Sequence, residues 1–288
     1  MKKKIMLLII LLVILTVVGC VGLQQTGLIK NTNNSNDISS AKQEEQKLSK
    51  KAEPASDVSQ VSTVQAENET QYEDSVSSEE AQTPNVTQGE NGKIVINDVP
   101  LVQQMPELAR GCEVTSLTML LQYAGVSVDK LTLAKEVAAV PFRYQSGLKG
   151  NPNEGFVGDI YTFNKSGYGV YHRPIANLAD KYLPGKIIDL TGQTIDSVYN
   201  MVKEGSPVWV ITNSRFSKLP ESEFSTWNTP SGQVKITYRE HSVLIVGYDD
   251  TSVYINDPLA EQPYKSVPRE SFEASWTQMG SQAISYEL

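Results

Sequence analysis

The side chains of this chain best suited to chemistry are a thiol, an imidazole and a carboxylate, in that order. Cys112 stands where an apolar periodicity typical of a helix begins, His241 opens an apolar run, and Asp257 follows the next such run. Cysteine reacts as the thiolate, which the free N–H groups of a helix N-terminus and a neighbouring imidazolium both favour. The pattern predicts nucleophilic catalysis: Cys112 attacks, His241 transfers the proton and Asp257 orients the imidazole.

The two apolar runs, 241–248 and 252–256, are separated by Asp249-Asp250, which indicates a tight turn and an antiparallel hairpin. In such a hairpin the start of the first strand lies opposite the end of the second, so His241 and Asp257 are expected to be neighbours. The only other histidine, His172, precedes a predicted helix and is assigned a surface or capping role.

Acyl transfer also requires hydrogen-bond donors for the oxyanion that develops on the attacked carbonyl. The backbone N–H of Cys112 is one candidate. A side-chain amide from the preceding loop is the natural second, and Gln103 and Gln104 both qualify. The residue pattern leaves this choice open.

The elements that must position these residues fall into helices followed by strands. Helices are predicted over 112–124, 129–139, 174–182 and 194–204, and strands over 93–96, 208–211, 233–238, 241–248 and 252–256. The Gly-, Asn- and Pro-rich segment 141–159 is predicted to be a long loop beside the cleft. This order predicts an α+β fold, with a helical N-terminal lobe carrying the cysteine and an antiparallel sheet lobe.

Residues 1–23 have the features of a secretion signal: three lysines after Met1, then the aliphatic run 5–18. Val17-Val18-Gly19-Cys20 resembles a bacterial lipobox, which implies lipidation of Cys20 and cleavage before it. A retained single membrane anchor is the alternative. Either interpretation places the rest of the chain outside the cytoplasm, on the outer face of the cell membrane.

Residues 24–92 hold twelve acidic side chains against five lysines, and Tyr72 is their only aromatic residue. Such a segment buries too little apolar surface to offset its chain entropy, so we predict a disordered acidic linker. Residues 93–288 contain all three tryptophans and are predicted to form one domain.

Composition excludes several classes of function. The net charge of −8 argues against nucleic-acid binding, which depends on clustered Lys and Arg. The sequence contains no phosphate loop, dinucleotide fingerprint or metal-ligand cluster, so no cofactor or metal is expected. Cys112 has no second cysteine in the predicted domain to pair with, which favours a chemical role for it in an exported protein. We expect a monomer.

Several blocks of sequence resemble the stand-alone bacterial C39-like cysteine peptidases of the papain-like clan. They are Val99-Pro100, Gln104 to Leu108, Gly111 to Leu117, Gly155 to Asp159, Gly169 to Tyr171, Gly205 to Val208, Glu240 to Val243, Gly247 to Asp249 and Asn256 to Pro258. The resemblance implies a papain-like fold and a Cys112–His241–Asp257 triad, with Gln104 as the oxyanion donor. Papain has Asn in the orienting role, so Asn256 is an alternative to Asp257.

The resemblance implies a cell-surface peptidase that hydrolyses peptide or protein substrates through an acyl-enzyme. The alternatives are an acyltransferase or cell-wall amidase on the same scaffold, or a catalytically inactive surface lipoprotein that acts as a binding module. Glu113 and Glu240, beside the catalytic pair, could tune it, although solvated or structural roles are commoner. Trp227 and Trp276 could line a groove, although core packing is commoner.

Overall fold

The computed structural model describes residues 85–288. The helices in this part of the chain are α1 Cys112–Tyr123, α2 Lys130–Glu136, α3 His172–Asp180, α4 Ile195–Lys203 and α5 Arg269–Gln278, and Glu221–Glu223 form a short 3-10 turn. The strands are β1 Val86–Gln88, β2 Ile94–Ile96, β3 Ala139–Val140, β4 Phe156–Val157, β5 Ile187–Asp189, β6 Val208–Asn213, β7 Ser225–Thr229, β8 Gly232–Ile236, β9 Glu240–Tyr248, β10 Ser252–Asn256, β11 Lys265–Pro268 and β12 Ala283–Tyr286.

One antiparallel sheet of eight strands organises the fold. Its order is β1-β2-β9-β6-β12-β5, and β10 pairs with both β9 and β11. Strands β7 and β8 form a separate antiparallel hairpin, and β3 and β4 a short parallel pair. The mixture of helices and antiparallel sheet is the predicted α+β, papain-like class.

Strand β9 is the centre of the sheet. One edge pairs with β10, and the other pairs with β6 and, near its end, with β2. Residues 241–247 are all buried, as expected for a strand covered on both faces. The apolar run Val243 to Val246 fills these positions, so the sequence of β9 matches its central place.

Helix α1 packs on β9, and its first turn is tied to the sheet by polar contacts. The Ser116 hydroxyl donates to the Ser242 carbonyl at 3.1 Å, and the Trp209 indole N–H donates to the Glu113 carbonyl at 2.9 Å. Gly111 precedes the helix, where a Cβ would lie 2.6 Å from that of Leu108. The lack of a side chain at position 111 therefore lets the chain enter α1 beside buried Leu108.

Most of the predicted elements are present, with shifted ends. Helix α2 is shorter than predicted because residue 137 is extended and Ala139 pairs with β4. Helix α3 begins at His172, which therefore lies inside the helix instead of before it. The elements that were not predicted are strands β1, β3, β4, β5, β7, β11 and β12 and helix α5.

Folded structure begins before residue 93. Strand β1 lies in the segment predicted to be linker, and it pairs with β2 in the register Val86↔Ile96. The predicted signal or anchor segment 1–23, the lipidation site Cys20 and residues 24–84 of the predicted linker lie outside the described residues. Within residues 85–288, no helix combines the length and apolar character needed to cross a membrane.

Truncation of Leu117 tests the importance of the α1–β9 contact for stability. Leu117 is fully buried in the core, and Leu117→Ala is expected to lower the free energy of unfolding by about 2–5 kcal/mol. The matched control is Leu288→Ala, because Leu288 is 60% exposed and should change stability by less than about 0.5 kcal/mol. Urea unfolding measures the free energy of unfolding of both variants. Equal losses of stability in the two variants would contradict this packing.

Candidate active site

A cleft of about 430 Å³ brings the predicted site residues together. Cys112, His241 and Gln104 line it, together with Ala109, Arg110, Phe163, Gly167, Tyr168, Ser214, Tyr238, Glu240 and Leu259. These residues come from the loop before α1, the first turn of α1, the segment 163–168 and the start of β9. The cleft therefore lies where the N-terminus of α1 meets the first residues of β9.

Cys112 is the first residue of α1 and is buried. Its Sγ donates a hydrogen bond to Oε2 of Glu113 at 3.3 Å, and no hydrogen bond within residues 85–288 joins it to His241. Burial raises the pKa of the Cys112 thiol well above its usual value, and the negative charges of Glu113 and Glu240 raise it further. The raised pKa favours the neutral thiol over the thiolate in this arrangement.

His241 and Asp257 are neighbours, as the predicted hairpin requires. Nε2 of His241 lies 2.8 Å from Oδ1 of Asp257, and both side chains are buried. The pairing of β9 with β10, which includes Leu244↔Asn256, produces this contact. Within the described residues Nδ1 of His241 has no hydrogen-bond partner, so this nitrogen is free to accept a proton from the cleft.

Asp257 is held as a carboxylate by three donors. His241 and the backbone N–H of Leu259 bind Oδ1, and Nζ of Lys265 lies 2.9 Å from Oδ2. Burial alone would raise the pKa of Asp257, but the interaction with His241 and the hydrogen bonds from Lys265 and Leu259 outweigh it and hold that pKa well below its usual range. Asp257 therefore remains ionised at neutral pH and can orient the imidazole.

Lys265 and Phe216 support the pair and were not predicted. Lys265 lies on β11, opposite Ile255 of β10, and its Nζ lies 4.6 Å from the centroid of the Phe216 ring. That ring lies 6.0 Å from the imidazole of His241. Strand β11 was not predicted because Lys265-Ser266-Val267-Pro268 has no apolar alternation and ends in proline, so no sequence signal indicated Lys265.

Asn256, the alternative orienting residue, has a different task. Its amide group donates to the carbonyls of Val99 and Pro100, and its Oδ1 accepts from the backbone N–H of Tyr264. The side chain is fully buried and joins two loops. It does not contact the imidazole, so the geometry favours Asp257 over Asn256 as the partner of His241.

The two glutamines are also distinguished by position. Gln104 is buried, lines the cleft, and donates from Nε2 to the Leu108 carbonyl at 2.9 Å. Its amide nitrogen carries a second hydrogen that this bond does not use. Gln103 is directed elsewhere, because its Nε2 donates to the Ala260 carbonyl. Gln104 is therefore the amide placed to act beside Cys112.

The remaining candidates lie away from the cleft. His172 pairs through Nδ1 with Asp189 at 2.8 Å. Trp276 is buried in the main core and donates to the Gln282 carbonyl. Trp227 belongs to a smaller cluster with Tyr168 and contacts the cleft only through its neighbours.

The rim of the cleft is apolar, and its residues lie after segment 141–159 in the sequence. Phe163 and Tyr238 are each 66% exposed, and Leu259 is 53% exposed. The Arg110 guanidinium lies 4.8 Å from the Phe163 ring centroid and donates to the carbonyls of Asp159 and Thr162. Segment 141–159, predicted to be a long loop beside the cleft, contains strand β4 and does not line the cleft itself, although the Asp159 carbonyl at its end accepts from Arg110.

Glu113 and Glu240 form a carboxyl pair behind the thiol. One ligand atom from each of Cys112, Glu113 and Glu240 lies within 4.8 Å of the others, which makes them the group in the described part of the chain with the geometry to hold a metal ion. Burial raises the pKa of Glu113 to about 7. Burial, and then the charge of Glu113, raises that of Glu240 well above its usual value. A metal ion bound here would have to displace the protons that these raised pKa values favour.

Comparisons with known proteins identify the family of this chain. Residues 96–284 match the model of the Peptidase_C39 like family. The "Uncharacterized protein YvpB" of Bacillus subtilis (strain 168) is 54% identical over 189 residues, which cover 65% of this chain and 74% of that protein. A crystal structure of a "putative C39-like peptidase" from Bacillus anthracis, 59% identical, superposes with a TM-score of 0.67 and covers 68% of this chain and 98% of that one. The chain belongs to the C39-like peptidase family.

Proposed function

We propose that this protein is a cysteine peptidase that hydrolyses peptide bonds through an acyl-enzyme. The observation that carries the proposal is the shared cleft of Cys112 and His241, with Asp257 bonded to the far nitrogen of the imidazole. Membership of the C39-like family supports the same reaction class. The secretion signal in residues 1–23 supports action outside the cytoplasm. The chain would be held at the outer face of the cell membrane through lipidated Cys20 or through a retained anchor.

In the proposed reaction His241 takes the Cys112 proton on Nδ1, and the thiolate attacks the carbonyl carbon of the scissile bond. Asp257 stabilises the imidazolium that forms and keeps the ring in place through Nε2. The imidazolium then protonates the leaving amine, which departs with the C–N bond broken. Water, deprotonated by His241, attacks the thioester and releases the carboxylic acid product and the free thiol.

Two donors are placed to bind the oxyanion of the tetrahedral intermediate. The backbone N–H of Cys112 has no carbonyl partner within α1, because it belongs to the first turn of the helix. The amide of Gln104 lies on the same cleft with one N–H free. Donors fixed in advance and shielded from water stabilise developing charge strongly, because they need little reorganisation.

The apolar rim supports a polypeptide substrate. Phe163, Tyr238 and Leu259 present exposed apolar surface at the edges of the cleft, and Arg110 and Tyr168 restrain the aromatic rings. Exposed apolar surface gathered at a concave site is typical of ligand contact. We therefore propose that large apolar side chains of the substrate lie against this rim.

Replacing Cys112 tests the reaction class. Cys112→Ala is expected to lower peptide hydrolysis by more than about 10⁴-fold, because no other thiol lies in the cleft, while the fold is retained. Product analysis of a peptide library by mass spectrometry measures the loss, and muropeptides in parallel report cell-wall amidase activity. Hydrolysis undiminished in Cys112→Ala, or no turnover of any peptide by the native chain, would contradict the proposal.

The adjacent glutamines give a matched test of the oxyanion donor. Gln104→Ala is expected to lower kcat for peptide hydrolysis by about 10²–10³-fold, the usual cost of removing one such donor. Gln103→Ala is the control, because its amide bonds to Ala260 outside the cleft lining, and it should keep kcat within about 3-fold. Equal kcat losses in the two variants would remove Gln104 from this role.

A further inference from the structure

We propose that Glu113 and Glu240 are positioning residues of the nucleophile: they share a proton and hold Cys112 as a neutral thiol, hydrogen-bonded to Glu113, until the thiol proton passes to His241. The inference deepens the proposed function, on which it rests for the role of His241. It assigns a role to two carboxyl groups that the triad and the oxyanion donors do not use.

The contacts around Glu113 define the arrangement. Its Oε2 accepts from Sγ of Cys112 at 3.3 Å, and its Oε1 accepts from the backbone N–H of Val170 at 2.7 Å. The side chain is fully buried. Because the Val170 bond fixes one oxygen, the other is directed at the sulfur.

Glu240 brings a second carboxyl group to the same place. Its Oε1 is buried without a hydrogen-bond partner, and a carboxyl oxygen of this residue lies within 4.8 Å of both Sγ of Cys112 and a carboxyl oxygen of Glu113. Glu113 is fully buried, whereas Glu240 is half-buried with only its Oε1 shown to be shielded from water. Two carboxylates at such a distance oppose each other's ionisation, which favours a proton on one of them.

No cation in the described residues forms an ion pair with either carboxyl group. The two basic side chains of the site are used elsewhere: the Arg110 guanidinium binds the carbonyls of Asp159 and Thr162, and Lys265 binds Asp257. A buried carboxyl group without a cation is stabilised by keeping its proton.

Gly169 leaves room for the carboxyl groups of Glu113 and Glu240. A Cβ at this position would lie 2.4 Å from Oε1 of Glu113 and 2.8 Å from Oε2 of Glu240, and both separations are far too short. The absence of a side chain therefore lets both carboxyl groups approach the backbone next to Val170. This fit shows that residues 169–170 accommodate two carboxyl groups together.

Five titratable groups face the sulfur and the pair, and the four acidic ones among them favour a protonated thiol. They are Glu113 on α1, Glu240 and His241 on β9, and Tyr168 and Tyr171 on the facing segment, where burial raises the pKa of both phenols. With the pKa of Glu113 raised to about 7 and that of Glu240 raised well above its usual value, the pair carries less than two full charges at neutral pH. That charge opposes thiolate formation, while the backbone N–H of Ser242 favours it.

Glu113→Gln reverses the polarity of the group that faces the sulfur. The Gln Oε1 can keep the Val170 bond, which leaves its N–H₂ group to donate to a thiolate. The pKa of Cys112 is then expected to fall by about 1–3 units. The midpoint of the pH dependence of Cys112 alkylation by iodoacetamide should fall by the same amount. Glu240→Gln should lower the midpoint less, because Glu240 makes no hydrogen bond to the sulfur. Alkylation is followed in the full chain on the proteolytic peptide that contains Cys112, separately from Cys20.

Glu107→Gln is the control, because Glu107 is an exposed acid paired with Lys130 outside the cleft lining, and its midpoint should equal that of the native chain. An unshifted or raised midpoint in Glu113→Gln overturns the proposal. If Glu113→Gln does not fold, infrared spectra recorded at neutral pH test the proposal instead. The native chain should show the band of a protonated carboxyl group, and Glu240→Gln should lack it. The absence of this band from the native chain overturns the proposal. Neither readout requires peptide hydrolysis, so this inference and the proposed function fail separately.

Discussion

The contact between the first turn of α1 and the first residues of β9 is the constraint on which the candidate site depends. Ser116 bonds to the Ser242 carbonyl, and the Trp209 indole bonds to the Glu113 carbonyl, so the helix cannot slide along the sheet without losing buried hydrogen bonds. Cys112 and His241, far apart in the chain, meet because each stands at the end of one of these two elements. The rigid sheet therefore fixes the geometry, and the surrounding loops supply the rim.

The cleft has two sides with opposite electrostatic character, although both contain buried carboxyl groups. Asp257 receives donors from His241, Leu259 and Lys265, so its charge is stabilised and its pKa is low. Glu113 receives one backbone N–H and a weak thiol donor, and Glu240 Oε1 receives none, so burial dominates and their pKa values are high. The number of donors at each carboxyl group, more than the depth of burial, decides which group is ionised. A proton leaving the thiol would therefore move towards the side where Asp257 stabilises an imidazolium.

Sequence patterns predicted the parts of this structure that depend on short-range order. The 3.6-residue periodicity after Cys112 gave α1, and the Asp249-Asp250 turn between two apolar runs gave the β9–β10 hairpin and the His241–Asp257 contact. Strand β1 was missed because residues 86–88 are only partly covered and carry no apolar alternation. Strands β5 and β12 pair with each other across almost a hundred residues, and no local signal indicates such a pairing.

The protonated thiol that we propose is the property that the sequence could not give, and the reason is physical. In Cys112-Glu113 and Glu240-His241 a glutamate stands beside a proposed catalytic residue. From the sequence alone these two glutamates could equally be solvated charges. Their burial follows from the approach of residues 169–170, where Gly169 admits both side chains and the Val170 N–H fixes one of them. That segment lies more than fifty residues from Glu113 in the chain and about seventy from Glu240. A helix N-terminus favours a thiolate, but here two buried carboxyl groups oppose it, and only the three-dimensional arrangement reveals which effect is larger.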